Sequence, residues 1–86
     1  MRHARAEDLD LIEDLLAAIR RMGGLKEKSR GVFYVKTRPT LHFHQDPKGM
    51  FADLRNGDDF DRYPVNTKAE RGVLLKRVAA VLVGID

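Results

Sequence analysis

The sequence predicts an α+β fold: a two-layer sandwich in the order α-β-β-β-β-α, with an antiparallel sheet and both helices on one of its faces. Three observations predict it. A stripe of apolar residues at helical spacing stands near each end of the chain, period-two alternation fills the middle, and turn residues punctuate that middle at short intervals. The 86 residues make one domain, residues 1–86. A domain of this size buries roughly 60–65% of its unfolded surface, enough for one modest core.

The first five residues are expected to be a mobile end. Glu7–Met22 then reads as one amphipathic helix, with Leu9, Ile12, Leu16 and Ile19 at helical spacing and Leu15 and Met22 widening the stripe. Its acids lie in front and Arg20 and Arg21 in the last turn, an order that suits the helix dipole. Gly23-Gly24 stops it, since glycine accepts the left-handed conformation at a helix end. Leu25–Arg30 reads as a charged loop, and Val32–Lys36, β-branched and aromatic, as a strand. Thr37-Arg38-Pro39 is expected to turn the chain. Leu41–Gln45 alternates apolar and polar, Asp46-Pro47-Lys48-Gly49 turns, and Met50–Arg55 alternates again. Asn56-Gly57 marks a tight hairpin, and Phe60–Val65, which contains Pro64, reads as an edge strand. Thr67-Lys68-Ala69-Glu70 is a capping box for a last helix to about Val83, with Leu74, Val78, Val81, Leu82 and Ile85 as its stripe.

Strand register follows from the requirement that apolar residues share one face. A symmetric hairpin at Asp46–Gly49 places Leu41 opposite Leu54, Phe43 opposite Ala52 and Gln45 opposite Met50. The other, open face then holds His42 opposite Asp53, His44 opposite Phe51 and Thr40 opposite Arg55. A three-residue Thr37–Pro39 loop sets Tyr34 beside His42. At the last hairpin a two-residue loop would send Asp59 and Asp61 toward the core, so a three-residue loop with a glycine bulge is expected. It buries Phe60 and brings Asp61 to Asp53, which completes an open-face row Tyr34–His42–Asp53–Asp61.

That face carries the candidate chemistry. His42, His44 and Asp46 spell H-x-H-x-D, and histidines two apart on a strand point the same way, as metal ligands can. The metallo-β-lactamase fold uses a similar string but needs further histidines, and here only His3 remains. Asp46 has a turn to initiate before Pro47, so the metal candidates are His42, His44 and the cross-strand Asp53. His42, Asp53 and Tyr34 are also the candidates for acid–base catalysis, because a carboxylate beside an imidazole orients the ring and favours its charged form. No nucleophile pattern accompanies them, and no metal or organic cofactor is assigned.

Composition narrows the classes further. The chain has no cysteine, which excludes disulfides and thiolate sites. A net charge of +3 arises from 16 basic and 13 acidic residues interleaved along the chain, without the basic patch of a nucleic-acid binder. Exposed Tyr34 and Phe51 beside Arg55 fit a base-stacking sheet, but the nearby aspartates would repel phosphate, so single-stranded nucleic acid is the third choice. No apolar run reaches membrane-spanning length, no secretory signal opens the chain, and a cytoplasmic setting is expected.

The string GVFY with LHFHQDPKGMFADLR resembles that of small uncharacterised bacterial proteins, over about Gly31 to Leu82. The element order is similar to the MmcQ/YjbR-type and frataxin-like folds. The frataxin-like resemblance would set Glu7, Asp8, Asp10, Glu13 and Asp14 as an acidic first helix, but this chain has no tryptophan for that family's sheet, and iron binding is not carried over. The expectation is therefore a non-enzymatic module that binds a protein partner or a second copy through Tyr34, His42, His44, Phe51, Asp53 and Arg55. The alternative is a small metal-dependent or acid–base hydrolase centred on His42, His44 and Asp53.

Overall fold

A computed structural model describes residues 2–84. The elements are β1 (Arg2–His3), α1 (Ala6–Asp10), α2 (Glu13–Met22), β2 (Lys26–Ser29), β3 (Val32–Val35), β4 (Arg38–Asp46), β5 (Gly49–Asn56), β6 (Asp59–Pro64) and α3 (Lys68–Val83). Strands β2 to β6 form an antiparallel meander in chain order, and β1 joins β4 outside that path. The α+β class and its antiparallel sheet are as expected, with helices packed on the sheet. Ile85, expected in the last helical stripe, lies outside the described residues.

The core gathers Leu16 and Ile19 of α2, Leu74 and Val78 of α3, and the alternate residues Leu41, Phe43, Met50, Ala52 and Leu54 of β4 and β5. Alternation leaves the intervening residues on the opposite sheet face. The β4–β5 register is the expected one, with Leu41↔Leu54, His42↔Asp53, Phe43↔Ala52, His44↔Phe51 and Gln45↔Met50. Its turn is held as the sequence implies, since the Asp46 carboxylate accepts the Lys48 N–H at 3.0 Å.

Other expectations need correction. The first helix is divided: Leu11 and Ile12 donate to the carbonyls of Asp8 and Leu9, three residues back. This tighter winding turns both Leu9 and Ile12 inward and leaves Leu11 71% exposed. The expected loop Leu25–Arg30 contains β2, whose residues are polar, three of the four charged, and mostly exposed, so no burial pattern announces it. Within the five residues expected to be mobile, Arg2 pairs with Gln45 and His3 with His44.

The hairpins on either side of it, β3–β4 and β5–β6, turn on two residues each. Lys36-Thr37 joins β3 to β4, with Lys36 at φ +56°, and Pro39 lies inside β4. A bulge follows, pairing Phe33 with Leu41 and Tyr34 with Pro39, so Tyr34 is not beside His42. Gly57-Asp58 joins β5 to β6, which sets Arg62 opposite Asp53, Asp61 opposite Leu54 and Phe60 opposite Arg55. The glycine bulge is absent there, Asp61 is not near Asp53, and Phe60 is 38% exposed. The feared burial of acids does not arise, because Asp59 to Arg62 are all exposed on an edge strand.

Candidate metal centre

Strand β4 supplies the site's rigid part. His42 and His44 project from its open face two residues apart, and their rings meet edge to face at 4.9 Å between centroids. Nδ1 of His42 lies 3.0 Å from Nε2 of His44, close enough to share one proton. The third ring comes from β1: the His3↔His44 pairing brings the His3 imidazole to 4.7 Å from that of His44 and 6.2 Å from that of His42. Each of the three can offer a ring nitrogen, and those nitrogens lie within 4.8 Å of one another. All the histidines of the chain thus converge on one patch. Zinc held by imidazole nitrogens at about 2.0–2.1 Å spaces them by about 3.4 Å, so small side-chain adjustments suffice to ligate it. His3 is exposed and keeps the patch open to solvent.

Asp53 lies beneath the rings with 8% of its side chain exposed. Its Oδ2 is 3.0 Å from Nε2 of His44 and 4.0 Å from Nδ1 of His42. From the other side Arg62 donates through Nε to Oδ1 at 2.8 Å and through its terminal nitrogen to Oδ2 at 3.0 Å, the bidentate geometry that suits a guanidinium. Burial pushes the Asp53 carboxyl upward, but the hydrogen bonds and charge of Arg62, aided by the two histidines, hold it below its ordinary value. Burial lowers both His42 and His44, with Asp53 opposing it more weakly. Both shifts favour the neutral imidazole, the form that ligates metals.

The remaining candidates separate. Tyr34 sits opposite Pro39 with the Lys28 ammonium 4.3 Å above its ring, away from the histidines. Arg55 donates to the Pro39 carbonyl at 2.7 Å and covers Phe60, whose ring is 5.0 Å from that of His42. Phe51 is half-buried between His44 and Pro64. Asp46 serves the turn. Sequence reasoning missed His3, because a two-residue strand is too short for any periodicity to reveal. It missed Arg62 and Phe60 through the rejected hairpin loop.

No family of proteins, no curated protein and no solved structure matches this chain. Among the described residues no helix is long and apolar enough to cross a membrane.

Proposed function

We propose that this protein binds a divalent transition metal ion, zinc best fitting the donors, through His3, His42 and His44. The observation that carries the reading is the convergence of three imidazoles within ligating distance of one another. Asp53, held by Arg62, has Oδ2 3.0 Å from Nε2 of His44 and 4.0 Å from Nδ1 of His42, the two nitrogens that face each other, so its carboxylate supports the reading by setting negative charge beside the ion. Three protein nitrogens leave a fourth position for water, which keeps a hydrolytic role within reach of the same centre.

The test is calorimetric titration of metal-free protein with zinc. One ion per chain is expected, with affinity falling at least about tenfold in His42→Ala and in His44→Ala, the scale of loss seen when metal-site residues are altered. Absence of binding at millimolar zinc would sink the proposal. A second reading, an interaction face for a protein partner or a second copy, is favoured by Phe60, exposed at the rim of the histidines. Sedimentation of a monomer at every concentration would remove self-association.

A further inference from the structure

We infer that metal occupancy clamps the N-terminal strand onto the sheet, so that the presence of the ion is converted into ordering of β1 and α1; this rests on the metal-binding reading. The three ligands come from two segments of very different anchorage. His42 and His44 lie on the nine-residue β4, paired with β5 from Leu41 to Asp46. His3 lies on the two-residue β1, which among the described residues pairs through Arg2 and His3, with one further bond from the Ala4 N–H to the Phe43 carbonyl at 3.1 Å. A metal that takes all three nitrogens binds the docked arrangement and not the undocked one, so it must shift the population toward docking.

The consequence reaches beyond β1. Arg2 donates to both carboxylate oxygens of Asp8, at 2.7 and 3.4 Å, and Asp8 also accepts the Arg5 N–H at the start of α1. Asp8 is 7% exposed, so departure of Arg2 would strip a buried carboxylate of its cation. Leu9, next in sequence, is a core residue. A small cleft of about 40 Å3, lined by residues that include His3, Leu9, Gly31 and His42, lies where the N-terminal segment meets the sheet. The N-terminal segment thus meets the sheet through few bonds, and an ion held by His3, His42 and His44 would add a link across that contact.

Reciprocity gives the size of the effect. The factor by which His3 raises zinc affinity equals the factor by which zinc raises the docking equilibrium, about tenfold or more for a coupling of ordinary strength. The experiment is amide hydrogen exchange by NMR on the full chain, with and without saturating zinc, in wild type and His3→Ala. The Ala4 and Leu9 amides report docking, and a β5 amide such as that of Ala52 serves as the internal reference. Zinc is expected to slow Ala4 exchange at least about tenfold relative to the reference in wild type, and not in His3→Ala saturated through His42 and His44. If calorimetry shows zinc bound to wild type while Ala4 exchange is unchanged, the clamp is overturned and the metal site stands. If calorimetry shows no binding, both fall.

Discussion

Asp53 is the residue on which the site's electrostatics depend. Its carboxylate is nearly out of solvent, yet one cation and two imidazoles share it. Arg62→Ala would leave that carboxylate buried without its guanidinium partner, beside rings that burial biases toward the neutral form. The expected outcome is a lower urea midpoint, and Arg62→Lys should recover only part of it, because an ammonium is a point donor without the guanidinium fork. A midpoint unchanged in Arg62→Ala would show that solvent replaces the ion pair at no loss. At this scale the sequence was half legible. The His42–Asp53 neighbourhood followed from alternation, whereas Arg62 depended on a loop length set by the exposure of Asp59 and Asp61, which residue types do not disclose.

Among the elements, the β4–β5 hairpin is the one whose turn is most tightly specified. Gly49 has φ +126°, and a Cβ there would lie 2.5 Å from Oδ1 of Asn66. That oxygen accepts the Met50 N–H at 2.8 Å, and the amide nitrogen of Asn66 donates to the Met50 carbonyl at 3.3 Å, tying the end of β6 to the start of β5. Gly49→Ala is expected to destabilise by about 1–3 kcal/mol through backbone strain, read as a drop in thermal midpoint. Retention of the wild-type midpoint would contradict it. This hairpin was readable because two alternating strands flank an Asp-Pro turn. The β3–β4 hairpin was not, because Thr37-Arg38-Pro39 has the residue types of a turn while Pro39 lies in β4 beside the bulge. The helix break at Leu11 was equally hidden, since its apolar spacing is also that of an unbroken helix. The capping box of α3 read true: Thr67 accepts the Glu70 N–H at 3.1 Å and Glu70 accepts that of Thr67 at 3.0 Å.

For the whole molecule, charge substitutes for apolar burial where the sheet begins. Arg20 bridges Glu13 at 2.7 Å and Glu27 at 2.6 Å, and Arg30 joins Asp10 and Glu13 at 2.7 and 2.8 Å, so α1, α2 and β2 are linked by ions. The hydrogen bond from Arg20 is the main cause that holds Glu27 below its ordinary value of 4.5. A depressed carboxyl stabilises the fold fully above its unfolded pKa and loses that contribution as pH falls through the folded value. Stability should therefore decline below about pH 4.5, and urea titrations of Arg20→Ala over that window should show a shallower decline; an identical slope would refute the assignment. This ionic link was illegible in the sequence, where Lys26–Arg30 shows only charge, and its partners become neighbours only after folding. The pairing of β1 has a last, kinetic consequence. Connections of two residues join each strand from β2 to β6 to the next, whereas residue 3 must find residue 44. Chain closure over so long a loop is entropically late, so the meander is expected to zip hairpin by hairpin with the N-terminal strand annealing last. In stopped-flow experiments on the metal-free chain, His3→Ala should then speed unfolding and leave the folding rate unchanged; a slowed folding limb would place β1 in the nucleus instead.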